Sequence, residues 1–168
     1  RDMAIHDFDM ARSFIPDIVE VTAVGLRQFS TGIADADDFD AAVTTLRGAG
    51  GESVVITNSR HSAYGYDQRL EAFGPDGLLQ VGNVSPTVVR SSTAALGDGG
   101  EPFRRFFLER YRDAYELELA AFIATIRGED TSASPSPGFE DGRAALLLAD
   151  AAEVSAREGR SVTVDLSA

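Results

Sequence analysis

The sequence contains no cysteine, no tryptophan and no lysine. Without cysteine there is neither a disulfide framework nor a thiolate metal site. Without lysine there is no Schiff-base amine, no Walker-type phosphate lysine and no lysine acid. Any mechanism that needs one must take it from outside these 168 residues, because all 15 basic residues are arginine. Histidine is scarce too. His6 and His61 are the only two, with no metal-type spacing, so no metal site is expected. No apolar run approaches the ~20 residues of a membrane helix. No basic-plus-apolar signal opens the chain, which predicts a cytoplasmic setting. The first residues, Arg1-Asp2-Met3, read as a fragment or a processed product. The net charge of −12 opposes binding to nucleic acid or to anionic lipid.

What is present is ordinary globular material: 43% apolar, 8% aromatic and 25% charged residues, enough for one domain with a core. Met3, Phe8, Met10, Ala11 and Phe14 give an apolar side to a helix over residues 2–14, and Pro16 bars its continuation. Strands are expected over 18–29, 40–47, 53–59, 68–73 and 78–81, with an edge strand over 87–92. Gly48-Ala49-Gly50-Gly51 and Gly74-Pro75-Asp76-Gly77 read as hairpin turns. A helix is expected from Phe107 to Ile126, stopped at Gly128, and a Ser/Pro-rich loop over Thr131–Gly138. A second helix over 140–158 turns Leu146, Leu147, Ala151 and Val154 inward, and 161–166 is a closing strand. This order predicts an α+β fold: an open, mostly antiparallel sheet with helices packed on one face. The other face is then free, a natural surface for homo-oligomers.

Two clusters could carry chemistry. Asp2, His6 and Asp9 stand at i, i+4 and i+7, within roughly 60° of one another around a helix. A neutral imidazole can take the proton of an alcohol, and a neighbouring carboxylate can orient the ring and stabilise its charged form. A histidine flanked by acids is also common surface decoration. The second cluster runs from Asn58 to Arg69 and includes His61, Tyr64, Tyr66 and Asp67. Its donors and acceptors suit a polyhydroxylated ligand, though a polar hairpin loop would look the same. Gly48–Gly51 and Gly97–Gly100 do not complete a dinucleotide fingerprint. Asp35, Asp37, Asp38 and Asp40 read as a solvated acidic loop, and Asn83-Val84-Ser85 as a chance sequon.

The stretch Asp2-Met3-Ala4-Ile5-His6-Asp7-Phe8-Asp9-Met10-Ala11-Arg12 resembles the motif that opens the C-terminal domain of the inositol 2-dehydrogenase group. That group lies in the glucose–fructose oxidoreductase, inositol dehydrogenase and rhizopine-catabolism (Gfo/Idh/MocA) family. Asn58-Ser59-Arg60 and Tyr64-Gly65-Tyr66-Asp67-Gln68-Arg69-Leu70-Glu71 are similar to the same group, as are Phe107–Tyr111 and Glu140–Ala145. The likeness runs in order over nearly the whole chain. It implies a single glyceraldehyde-3-phosphate dehydrogenase-like C-terminal domain over residues 1–168, for substrate binding and oligomerisation, with an N-terminal Rossmann domain outside the chain. It implies His6 as the catalytic histidine with Asp2 as its paired aspartate. Asp9 and one of Tyr64 and Tyr66 are implied as substrate contacts. NAD or NADP would be bound mainly by the Rossmann half, which carries the family's Glu-Lys-Pro lysine. The implied reaction oxidises a secondary hydroxyl of myo-inositol or a related polyol or sugar. The chain alone is expected to be inactive and to form a dimer or tetramer. The alternative is a stand-alone oligomerisation or sugar-binding module without catalysis.

Overall fold

A computed structural model describes residues 1–95, 97–129, 131 and 136–166. The middle of the expected Ser/Pro-rich loop, residues 132–135, lies outside the described residues. The elements in chain order are α1 (Ile5–Phe14), β1 (Ile18–Leu26), α2 (Thr31–Asp35), β2 (Ala41–Gly48) and β3 (Ser53–Ser59). There follow β4 (Leu70–Gly74), β5 (Gly77–Val81), β6 (Arg90–Ser91), β7 (Gly99–Gly100), α3 (Phe107–Arg110) and α4 (Arg112–Ile126). The chain closes with α5 (Phe139–Glu158) and β8 (Val162–Thr163). The contacts divide it into two compact units: residues 1–61 with the segment from Pro137 onward, and residues 62–136.

The first unit is built on an antiparallel sheet in the order β3-β2-β1-β8. Strand residues alternate between faces, and the inner face carries Val21 and Ala23 of β1, Leu46 of β2 and Ile56 of β3. A bulge between Ile18 and Glu20 resets the alternation, so that Ile18 is buried with Val21. Two helices cover this face. From α1 come Phe8 and Ala11; from α5 come Ala145, Leu148, Ala149 and Ala151. Fully burying a side chain such as Leu46 or Leu148 contributes about 1.5–3 kcal/mol. Among the described residues of this unit, no helix covers the outer face. Val24, Val43 and Val55 stand on it in neighbouring strands, 57%, 41% and 66% exposed, among Thr22, Thr45 and Thr57.

The buried stripe of α5 differs from the expected one. Leu146 and Val154 are exposed and Leu147 is half-buried. The helix instead turns Ala144, Ala145, Leu148, Ala149, Ala151 and Ser155 inward. Small side chains win this face because they bring the helix backbone close to β1. There the Ser155 hydroxyl accepts from the N–H of Ala23 (2.8 Å) and donates to the carbonyl of Arg160 (2.6 Å). Gly159 ends the helix in the left-handed region at φ 65°, which glycine tolerates without steric cost. On α1, likewise, Met10 and Phe14 are about half exposed, and Phe8 and Ala11 carry the contact.

The acidic run is not a solvated loop throughout. Asp40 is 1% exposed. Its carboxylate accepts the N–H groups of Gln28 (2.9 and 3.0 Å), Phe29 (2.7 Å) and Ser30 (3.0 Å). These bonds end β1 at Leu26, short of the expected residue 29, and turn the chain into α2, an element the sequence reading missed. The N–H donors, led by that of Gln28, hold the Asp40 carboxyl below the ordinary carboxylate range despite its burial. Asp37 stays in solvent and pairs with Arg27 (2.5 Å) and Arg157 (2.8 Å).

In the second unit, β4 and β5 form a hairpin around Pro75-Asp76, paired only with each other among the described residues. They do not extend the main sheet as a run of consecutive strands suggests. The expected edge strand shrinks to β6, which pairs with β7. The helix expected over 107–126 breaks at Tyr111 into α3 and α4, and neither buries a residue. No helix of the described residues is long and apolar enough to cross a membrane.

Ser155→Ala strands the buried N–H of Ala23 and removes the donor to the partly buried carbonyl of Arg160. It should destabilise the protein by about 1–3 kcal/mol in denaturant titration; a change within ~0.3 kcal/mol would contradict this account. Asp40 binds its proton less readily folded than unfolded, so its stabilisation is complete above the unfolded value of about 4 and is lost as pH falls below it. Asp40→Asn should therefore lower the thermal midpoint at pH 7 and flatten the loss of stability below about pH 4, measured by calorimetry across that range.

Candidate active site

Helix α1 sits on the sheet through Ala4, Phe8, Ala11 and Ile15, four positions at helical spacing. That burial turns the opposite side to solvent and leaves His6 exposed. Its imidazole has no hydrogen-bond partner among the described residues, so either ring nitrogen is available to a ligand. Asp9 follows on the same side, half-buried, with Arg12 Nη1 3.8 Å from its carboxylate. Arg12 also donates to the Asp141 carbonyl (3.2 Å) and carboxylate (3.3 Å) of α5. Arg12 thereby ties α1 to the helix that closes the core.

The helix begins at Ile5, not at residue 2, so Asp2 lies in the turn before it. The bond from Ile5 N–H to the Arg1 carbonyl (3.1 Å) already has helical i to i+4 form. Asp2 therefore keeps its place one turn ahead of His6. Its carboxylate is exposed and faces Arg60 Nη1 at 3.5 Å. An exposed pair at that distance is weak, and leaves the carboxylate free to exchange partners.

The second cluster divides. Asn58, Ser59, Arg60 and His61 belong to the first unit, and Ser62 to Arg69 to the second. Asn58, at the end of β3, donates its side-chain amide to Asp7 of α1 at 2.8 Å. Arg60 reaches Asp2, and the His61 ring stacks on Phe29 at 5.2 Å. The first unit thus joins one acidic residue before α1 and one within it to the polar end of β3. Asp7 was not singled out by spacing, because it lies off the stripe of Asp2, His6 and Asp9.

In the second unit, Gly65 adopts φ 122°, and a Cβ there would come 2.8 Å from the Phe103 carbonyl oxygen. Only glycine lets the loop lie this close. The N–H of Tyr66 donates to the Arg104 carbonyl at 2.8 Å. The two tyrosines that flank Gly65 end in different settings. The Tyr66 ring is half-buried, edge-on to Tyr111 at 5.8 Å. Tyr64 is 53% exposed and donates its hydroxyl to Asp67.

Asp67 is the organising group of this loop. One of its oxygens accepts from Arg69 Nε and Asn83 Nδ2, each at 2.7 Å. The other accepts from Arg69 Nη2 at 2.9 Å and from Tyr64. The Arg69 bonds above all, then those of Tyr64 and Asn83, outweigh partial burial and hold the carboxyl at about 2. The same carboxylate pushes the Tyr64 phenol above its ordinary range. Asn83 stands out in sequence only as part of a sequon. Its side chain in fact bridges Asp67 and the N–H of Gln68 (2.8 Å). No sequence signal marks that role, since the pair is 16 residues apart.

The chain is similar to known proteins along almost its whole length. The sequence model of the GFO/IDH/MocA C-terminal domain matches residues 1–80. A myo-inositol 2-dehydrogenase of Thermotoga maritima is 45% identical over 98% of the chain, and an inositol 2-dehydrogenase of Rhizobium meliloti is 41% identical over 98%. The crystal structure of a myo-inositol dehydrogenase from Corynebacterium glutamicum superposes with a TM-score of 0.91 at 53% identity, again over 98% of the chain. The chain spans about half the length of these relatives, 48% and 49% of the two sequences and 49% of the crystallised chain. A shared fold and likeness along almost every residue lead to one conclusion: residues 1–80 match the C-terminal domain of the GFO/IDH/MocA family, and the whole chain is similar to about half of each of these dehydrogenases.

Proposed function

We propose that this chain is the substrate-side half of an NAD(P)-dependent dehydrogenase that oxidises a secondary hydroxyl of myo-inositol or a closely related polyol to the ketone. The observation that carries the reading is the exposed, unbonded imidazole of His6, held one turn beyond Asp2 and ahead of Asp9 on a helix anchored by its other side. Relatives named inositol dehydrogenases, at 41–53% identity, support the substrate class.

Oxidising a secondary alcohol removes a proton from oxygen and a hydride from carbon. His6 takes the proton. Asp2 favours the imidazolium that results, because a carboxylate near a positive charge lowers its energy. Asp9 contacts a ring hydroxyl of the substrate, and one of Tyr64 and Tyr66 is the other substrate contact that the family likeness implies. The nicotinamide cofactor, when bound, supplies the hydride acceptor. No glycine fingerprint for its pyrophosphate is present in these residues, so its binding falls to the Rossmann half expected from the family. That half also supplies the lysine this chain lacks. The exposed valine and threonine face of the main sheet supports assembly into homo-oligomers.

In the full-length protein, His6→Ala should lower kcat for inositol oxidation by about two to four orders of magnitude, the usual reach of one acid–base group. NADH formation at near wild-type rate would remove His6 from the mechanism. The 168-residue chain alone should bind NAD⁺ poorly. Calorimetric titration giving micromolar affinity would defeat the assignment of the nucleotide to the other half.

A further inference from the structure

The sequence motif leaves the roles of Tyr64 and Tyr66 open, and the hydrogen bonds around Asp67 separate them. A phenol has one proton to give. Tyr64 gives its proton to Asp67. Asp67 cannot release it to another partner at low cost, because the carboxylate is fixed from three sides. Arg69 grips it through Nε and Nη2, and Asn83 through Nδ2, while Asn83 is itself held by the N–H of Gln68. With two donors on each oxygen, Asp67 has no acceptor position left for a ligand. The Asp67 side chain is 18% exposed, whereas Tyr64 is 53% exposed. The hydroxyl of Tyr66 has no partner among the described residues and is free to give or to accept.

We infer that Asp67 is a positioning residue that locks Tyr64 as an acceptor-only contact, so that the loop demands a hydroxyl donor at one position of the ligand ring. This rests on the polyol dehydrogenase reading above and extends it to how one hydroxyl is recognised. A ring fluorine is close in size to a hydroxyl but has no proton to give. Opposite an acceptor-only oxygen it loses the bond and meets a second lone pair. Opposite a freely rotating phenol it would be tolerated, because the phenol could turn its own proton outward.

The test uses the full-length enzyme, myo-inositol and the set of its monodeoxyfluoro analogues. The wild type should disfavour one analogue in kcat/KM by at least about tenfold beyond the others that retain the reacting hydroxyl. Tyr64→Phe should erase most of that discrimination. Asp67→Asn should reduce it several-fold, and Asp67→Glu should restore part of it. A merely structural Asp67 would lower kcat/KM for every analogue alike, and that result overturns the inference. So does discrimination that survives in Tyr64→Phe, or a wild type that treats all these analogues equally while oxidising inositol. A wild type that oxidises no inositol overturns both this inference and the functional reading. A second measurement needs no turnover. In the 168-residue chain, carbon-13 at the tyrosine ring should show Tyr64 ionising above the ordinary tyrosine range, and returning towards it in Asp67→Asn. An unmoved Tyr64 titration in that variant also overturns the inference.

Discussion

The approach of α5 to β1 is the contact on which the first unit depends. Alanine at 144, 145, 149 and 151 keeps the helix surface thin, and Leu148 fills the space between its turns and the sheet. At this separation the Ser155 hydroxyl can bond the backbone of Ala23 in the strand and of Arg160 beyond the helix end. Larger side chains on that stripe would push the helix away, and both bonds would open. Helix α1 then lies against α5 and the same sheet face, through Phe8 and Ala11 and through Arg12 on Asp141. The position of His6 is therefore set at one remove, by the packing of a helix from the far end of the chain.

Carboxylates do three different jobs here, and their surroundings decide which. Asp40 is buried among backbone N–H groups and shapes a turn. Asp67 is saturated by an arginine, an amide and a phenol and shapes a loop. Asp2 is exposed, 3.5 Å from Arg60, and in the proposed reaction it would stabilise the charge formed on His6. A carboxylate already filled with donors is held too firmly in its ionised form to exchange protons near neutrality. In the proposed reaction the assisting carboxylate is Asp2, the least satisfied of the three.

Much of the fold was legible in the residues. The hairpin turns at Gly48–Gly51 and around Pro75-Asp76, the long helix ended by Gly159, and the opening helix stopped before Pro16 all follow from local stereochemistry. The inward faces were harder to read. Leu146 and Val154 looked like core residues, yet alanines occupy the contact, because closeness to β1 counted for more than side-chain size. The bulge after Ile18 could not be seen either, since it depends on register with β2. On α4, apolar residues at helical spacing marked a helix, but none of them is buried within this chain.

Of the site, the sequence by itself determined the spacing of Asp2, His6 and Asp9 and the likeness to a family, because both are local and linear. It also determined that lysine and cysteine chemistry must come from elsewhere. Tertiary structure alone decided that Asp40 is buried, that Asn58 meets Asp7 across 51 residues, and that Asn83 and Arg69 bind Asp67 so that Tyr64 can only accept. A hydrogen bond has a direction and a fixed reach. Which groups satisfy one another is settled only when strands and loops distant along the chain have been brought within about 3 Å.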